Sequence, residues 1–116
     1  MRIVLVEDDL DLLKTLEMLL RRQGHQIIAF QESTIACAFL ERGEPFDLLI
    51  IDYMMPDLTG RDLIQQVRDR RSKSSRVILI SGHTDVLESL DLGAIGVDAF
   101  LPKPLDLNKL NSTIQA

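Results

Sequence analysis

The chain has 116 residues, of which 46% are hydrophobic and 27% are charged, and its formal net charge is −5. This length and composition are typical of one globular domain with its own hydrophobic core, so residues 1–116 are expected to form a single domain. The excess of acidic residues argues against direct contact with nucleic acid, because such contact requires a basic surface.

The cysteine content and the hydropathy indicate the cellular compartment in which the protein is expected to act. Cys37 is the single cysteine, which excludes an intrachain disulfide and fits a reducing environment. Its apolar neighbours predict a small buried side chain rather than a reactive thiol. No apolar run approaches the roughly 20 residues that span a bilayer, and the apolar start at residues 3–6 is too short for a secretion signal. We therefore expect a cytoplasmic protein without membrane contact.

Five short apolar segments are predicted to be β-strands, at residues 3–6, 26–29, 48–51, 77–80 and 99–101. Four of them are almost continuous in apolar residues, whereas a half-exposed strand would alternate with polar ones. Continuous apolar strands are typical of a parallel sheet that is covered by helices on both faces.

The segment after the first strand shows the periodicity of an amphipathic helix. Asp9 is expected to lie at its N-terminus as the N-cap or a first-turn residue, and Gly24 to follow its C-terminus. Its apolar stripe is predicted to consist of leucines at intervals of four and three residues, Leu12, Leu16 and Leu19, with Leu13 and Leu20 beside them.

Four further helices are predicted between and after the remaining strands. The second covers residues 34–42 with Ser33 as its N-cap. The third contains residues 63–67, and the fourth begins after residue 84 or 85. The fifth begins at about Asp106. Strands and helices thus alternate five times, and because strand–helix–strand connections are right-handed, a five-stranded parallel sheet with helices on both faces is expected.

Polar side chains follow four of the five strands, at the sheet edge where such folds bind ligands. Glu7-Asp8-Asp9 follows the first strand, Asp52 the third, Ser81 the fourth and Lys103 the fifth. Each residue alone has an ordinary interpretation as a helix cap, a first-turn acid or a solvated lysine. Their joint occurrence at one edge predicts a functional site.

Carboxylates gathered at such an edge repel one another unless a cation neutralises them. Oxygen ligands without a His or Cys cluster favour Mg²⁺ over zinc. With the metal bound, Asp52 could attack a phosphoryl group, while Lys103 neutralises phosphoryl oxygens and Ser81 donates a hydrogen bond to the product.

Several ordered motifs resemble those of the receiver (response regulator) domains of two-component signalling, over essentially the whole chain. They are Glu7-Asp8, Asp52, Met55-Pro56-Asp57-Leu58-Thr59-Gly60, Ser81-Gly82 and Phe100-Leu101-Pro102-Lys103-Pro104. The resemblance implies a flavodoxin-like, doubly wound (βα)5 three-layer sandwich with the strand order 2-1-3-4-5. It also implies a signalling switch whose only catalysis is its own phosphoryl transfer and dephosphorylation, and which is not otherwise an enzyme.

The resemblance assigns a role to each matching residue. Asp52 is the implied phosphoacceptor, and Lys103 and Ser81 are the implied phosphoryl-binding residues. The implied Mg²⁺ ligands are Asp8 directly, Glu7 through water, Asp52, and the backbone carbonyl of Met54. Lys103-Pro104 is expected to be a cis peptide. Ser81 and Phe100 match the switch positions, Phe100 acting by steric displacement or serving only as a core aromatic residue.

The implied partners are a sensor histidine kinase and a C-terminal DNA-binding output domain that would follow residue 116. Phosphorylation is expected to rearrange the surface of the fourth helix, the fifth strand and the fifth helix, and this surface is the candidate for a phosphorylation-dependent homodimer. A stand-alone regulator is the other possibility.

Three rival functions make different demands on the sequence. A haloacid dehalogenase-like phosphohydrolase would need a second Asp at position 54, where Met54 stands. A flavodoxin-like flavin carrier would need a phosphate-binding first loop, which Glu7-Asp8-Asp9 would repel. A receiver-like interaction module that is never phosphorylated would be expected to lack part of the acidic site.

Overall fold

The structure is a computed structural model that describes residues 1–53, 62, 64, 65, 75–82 and 96–116. Its elements in chain order are β1 (Arg2–Val6), α1 (Leu10–Arg22), β2 (Gln26–Phe30), α2 (Ser33–Glu41), β3 (Leu48–Asp52), β4 (Arg76–Ser81), β5 (Ala99–Pro102) and α3 (Leu107–Gln115). Helix α3 is the predicted fifth helix. Residues 62, 64 and 65 are helical, as the predicted third helix requires. The predicted fourth helix lies outside the described residues.

The five strands form one parallel sheet in the order β2-β1-β3-β4-β5. This confirms the predicted fold class, including the strand order. Every residue of β3 is buried, and β1 and β4 are buried except at their first residues, whereas β2 and β5 at the edges are partly exposed. The continuous apolar segments of the sequence are therefore the strands that lie inside the sheet.

Two separate hydrophobic clusters cover the two faces of this sheet. Leucines of α1 and residues Leu110 and Ile114 of α3 pack on one face. Residues of α2 and Ile64 pack on the other face. Cys37 of α2 belongs to the second cluster and is buried, as predicted for a small apolar side chain. The result is the three-layer arrangement expected from the alternation of strands and helices.

The predicted apolar stripe of α1 was partly wrong, because two of its three leucines lie one residue before the leucines that face the sheet. The residues that α1 buries are Leu13, Leu16 and Leu20. Leu12 and Leu19 are only partly buried. Both sets have the spacing of a helical face, and because leucine occupies six positions in α1, periodicity alone does not fix the rotation of the helix about its axis.

The predicted helix caps were mostly correct. The carboxylates of Asp9 and Asp106 accept hydrogen bonds from backbone N–H groups in the first turns of α1 and α3, and Gly24 adopts a φ of 93° just after α1. Ser33 is not the N-cap of α2, however. Glu32 holds that position in an extended conformation, and Ser33 is the first helical residue and is buried. Within the described part of the chain, no helix has the length and apolar character required to cross a membrane.

Candidate functional site

The carboxyl ends of β1, β3, β4 and β5 bring the predicted site residues to one edge of the sheet. Glu7 directly follows β1, Asp52 and Ser81 are the last residues of β3 and β4, and Lys103 directly follows β5. The parallel register aligns these ends, since Val6 pairs with Ile51, and Asp52 with Ile80.

Three carboxylates converge at this edge. Glu7, Asp8 and Asp52 each contribute an oxygen, and these oxygens all lie within 4.8 Å of one another. Glu7 is fully buried and Asp52 is 4% exposed, whereas Asp8 is partly exposed. Asp9 does not join them in this group, because its side chain caps α1. The site therefore opens to solvent on the side of Asp8.

Lys103 is the cationic partner of two of these carboxylates. Its Nζ atom lies 2.9 Å from Glu7 Oε1 and 2.9 Å from Asp52 Oδ2. The backbone N–H of Lys103 donates to the carbonyl of Ser81 over 2.8 Å. The Lys103-Pro104 peptide bond is cis, as predicted. Lys103 is thus fixed through both its main chain and its ammonium group.

Burial and mutual proximity shift the pKa values of this group. Burial raises the pKa of Glu7 to about 7, the hydrogen bond from Lys103 opposes this, and the charge of Asp52 reinforces it. Burial lowers the pKa of Lys103, but hydrogen bonds to Asp52 and Glu7 outweigh this effect, so that its pKa is raised. Lys103 therefore remains protonated at neutral pH, and within the described part of the chain it is the cation that pairs with this acidic group.

The donor set fits a hard divalent cation. Glu7 Oε2 is buried, and no donor among the described residues reaches it. A buried carboxylate oxygen without a partner is costly, and a bound cation would satisfy it. Glu7, Asp8 and Asp52 supply only oxygen ligands, which suit Mg²⁺. The fourth predicted ligand, the backbone carbonyl of Met54, lies outside the described residues.

The two predicted switch residues lie on neighbouring strands. Ser81 is fully buried at the end of β4. Phe100 is partly buried in β5 and packs against the same hydrophobic cluster as α2. Its register partner in β4 is Leu79, two residues before Ser81. The two side chains therefore belong to one packed region beside the acidic group.

The second strand also contributes to the site, which the sequence interpretation overlooked. The side chain of Gln31, one residue beyond β2, donates to the backbone carbonyl of Asp8. The rule that located the other residues, a polar side chain at the carboxyl end of a strand, applies to Gln31 as well.

The response regulator receiver domain family model matches residues 3–115 of the chain. The transcriptional regulatory protein CpxR of Escherichia coli is 30% identical over 115 residues, which cover 99% of this chain and 48% of CpxR. The chain thus spans about half the length of this and similar curated relatives.

Solved structures of receiver proteins have the same fold. The response regulator receiver protein from Pseudomonas putida is 30% identical, with a TM-score of 0.83 and coverage of 98% of this chain and 94% of that protein. The response regulator TrrA of Thermotoga maritima, solved in complex with Mg²⁺–BeF, is 23% identical with a TM-score of 0.83, and the match covers 98% and 96% of the two chains. The chain therefore belongs to the response regulator receiver domain family of two-component systems, whose members include the receiver portions of transcriptional regulators.

Proposed function

We propose that the chain is a phosphorylation switch in which Asp52 accepts a phosphoryl group from a sensor histidine kinase. The observation that carries this proposal is the convergence of three carboxylates within 4.8 Å, with the Lys103 ammonium 2.9 Å from two of them. Glu7, Asp8, Asp52 and the carbonyl of Met54 are the proposed ligands of Mg²⁺. When bound, this ion would neutralise charge on the phosphoryl oxygens.

Asp52 is the proposed nucleophile because it ends the central strand β3 and is held by the ammonium of Lys103 through one of its oxygens. In the transfer, a carboxylate oxygen of Asp52 forms a bond to phosphorus as the bond from phosphorus to the histidine nitrogen of the kinase breaks. The electron pair of that bond remains on the imidazole, which takes up a proton. Lys103 counters the negative charge of the phosphoryl group, so that catalysis consists mainly of positioning and electrostatic stabilisation.

The product of this step is an aspartyl phosphate beside the buried hydroxyl of Ser81. The phosphoryl group adds negative charge and strong hydrogen-bond acceptors, and Ser81 is the proposed donor to one of them. Movement of Ser81 toward the phosphoryl group would leave space for Phe100, which is partly buried on the adjacent strand. Phosphorylation would thereby shift the equilibrium between two packings of the surface that contains β5 and α3, together with the predicted fourth helix.

The curated relatives suggest the output of this switch. CpxR and TctD are named as transcriptional regulatory proteins, and the chain matches 48% and 51% of their lengths. We therefore propose that the domain acts in the cytoplasm, that it controls a DNA-binding output domain, and that it does not contact nucleic acid itself. A phosphorylation-dependent homodimer through β5 and α3 is part of the same proposal.

The phosphoacceptor is tested by incubating the protein with Mg²⁺ and acetyl phosphate and measuring its intact mass. We expect the mass gain of one phosphoryl group, which disappears in Asp52→Ala and after addition of EDTA. Asp11→Asn, which changes an exposed acid in the first turn of α1, is the control and should retain the gain. Equal labelling of Asp52→Ala and the wild type would overturn the assignment.

A second experiment separates the switch from a passive receiver-like interaction module. Addition of beryllofluoride with Mg²⁺ should change the amide chemical shifts of Ser81 and Phe100 in the wild type and leave those of Asp52→Ala unchanged. A wild-type protein that responds neither to beryllofluoride nor to acetyl phosphate would support the passive module instead.

A further inference from the structure

We propose that Gln31 is a positioning residue that orients Asp8 toward the metal site, an inference that rests on the proposed function. Gln31 is the first residue after β2, the one strand to which no role in the site was assigned. Its Nε2 atom donates a hydrogen bond of 3.3 Å to the backbone carbonyl of Asp8, 23 residues away in the sequence.

The acidic loop is held at both ends by other contacts. At its start, the backbone N–H of Glu7 donates to the carbonyl of Phe30 over 3.0 Å. At its end, Asp9 caps α1 through its side chain, and its backbone N–H donates to Glu7 Oε1 over 3.1 Å. The carbonyl of Asp8 and the N–H of Asp9 belong to one peptide unit at a bend in the chain, so Glu7 and Gln31 hold this unit from its two sides.

The Asp8 carbonyl and the Asp8 side chain are attached to the same Cα atom, so a contact that fixes the carbonyl restricts the backbone conformations from which the carboxylate can reach the site. The carbonyl of Asp8 precedes the first helical hydrogen bond of α1, which the carbonyl of Asp9 accepts from Leu13. The Asp8 carbonyl thus accepts its hydrogen bond from the side chain of Gln31, which belongs neither to α1 nor to a strand of the sheet. Without this bond, we expect the backbone at Asp8 to adopt more conformations, so that its carboxylate lies beside Glu7 and Asp52, with which it forms the acidic group, for a smaller fraction of the time.

Residues that hold a metal ligand in place contribute to metal affinity without touching the ion. Because Gln31 is exposed and contributes one neutral hydrogen bond, its loss should weaken Mg²⁺ binding by roughly three- to tenfold. The acidic ligands themselves remain in place, so a sufficiently high Mg²⁺ concentration should restore the phosphorylation rate.

The test is a titration of the full chain with MgCl₂ by isothermal calorimetry. Gln31→Met keeps the length of the side chain and removes its N–H donors. Gln26→Met, at the opposite end of β2, removes another exposed amide far from the site and serves as the control. We expect weaker Mg²⁺ binding by Gln31→Met only, an unchanged melting temperature in EDTA, and a wild-type rate of phosphorylation by acetyl phosphate at saturating Mg²⁺.

The possible failures are distinguishable. If the wild type binds Mg²⁺ and Gln31→Met binds it equally well, the positioning role is wrong while the proposed function stands. A lower melting temperature of Gln31→Met in EDTA, or equal weakening in Gln26→Met, would also overturn the positioning role, since either result indicates a general structural effect. A wild-type protein that does not bind Mg²⁺ would overturn the proposed metal site and the role of Gln31 together.

Discussion

The ammonium of Lys103 and the carboxylate of Glu7 lie 2.9 Å apart although 96 residues separate them in the chain. Lys103 makes a second bond of the same length to Asp52, so one cation serves two carboxylates that are almost entirely buried. Two buried acids next to each other are unfavourable when both are charged, and Lys103 offsets part of this cost. The sequence interpretation predicted contacts of Lys103 with phosphoryl oxygens, and the structure adds that its ammonium group bonds to two carboxylates of the acidic group.

Replacement of Lys103 by Met should destabilise the metal-free protein. The change leaves Glu7 and Asp52 without their cation, and we expect the free energy of unfolding at pH 8 to fall by about 3 kcal/mol. Urea denaturation in EDTA measures this loss, with Lys109→Met, an exposed lysine of α3, as the control. Saturating Mg²⁺ should recover part of the loss, because the ion replaces the missing charge. An equal loss in both variants would contradict this account.

The raised pKa of Glu7 predicts that the metal-free protein becomes less stable as the pH rises. The Glu7 carboxyl releases its proton near the ordinary pKa of 4.5 in the unfolded chain but only near a pKa of about 7 in the folded one. Between these values the folded state binds more protons, so stability decreases with pH, and the contribution of Glu7 levels off above its folded-state pKa of about 7. The decrease attributable to Glu7 is roughly 3 kcal/mol.

Glu7→Gln tests this effect because its amide cannot lose a proton. Urea denaturation in EDTA at pH 5 and at pH 8 should show a smaller difference for Glu7→Gln than for the wild type, with the variant the more stable protein at pH 8. Glu32→Gln, an exposed acid at the N-cap of α2, should behave as the wild type does. A wild-type stability that rises between these two pH values would contradict the assigned direction.

The parts of the structure that the sequence predicted correctly depend on strong local patterns. The apolar runs of β3 and β4 identified buried parallel strands, and the predicted position of Asp52 and Ser81 at the carboxyl ends of these strands is confirmed, whereas their roles in the site stay predictions. Ser33 was misassigned because a serine before a helical segment has the same local signature whether it caps the helix or is buried in the first turn. The pairing of Lys103 with Glu7 depends on the assembled sheet, which no local pattern encodes.

Alanine substitutions in α1 test which of its leucines face the sheet. Leu13 is 5% exposed and packs with Leu16 and Leu20 against the sheet, whereas Leu12 is only partly buried. Leu13→Ala should therefore lower the free energy of unfolding by about 2 to 4 kcal/mol, and Leu12→Ala by about 1 kcal/mol. Chemical denaturation of the two variants measures both values. A larger loss of stability for Leu12→Ala than for Leu13→Ala would contradict this packing and support the stripe that was predicted from periodicity.

Arg76 at the start of β4 is predicted to hold the C-terminal end of α3 against the sheet. Its Nη1 atom donates to the carbonyl of Thr113 over 3.2 Å, and its Nη2 atom donates to the carbonyl of Ile114. A cation that satisfies carbonyls at the end of a helix also interacts favourably with the helix dipole. Arg76→Met keeps much of the apolar stem and removes these bonds, which should cost about 1 to 2 kcal/mol of stability.

The part of the protein that loses stability distinguishes a specific role of Arg76 in holding α3 from a general effect of removing a charge. Amide hydrogen exchange in Arg76→Met should become faster in α3, including at Leu110 and Ile114, and should change little in α1. Arg22→Met is the control, because Arg22 is an exposed arginine in the last turn of α1. Unchanged exchange in α3 of Arg76→Met would show that packing of Leu110 and Ile114 alone is sufficient to hold this helix. Faster exchange confined to α3 would instead show that the first residue of β4, the strand that ends at Ser81, also fixes the helix next to β5.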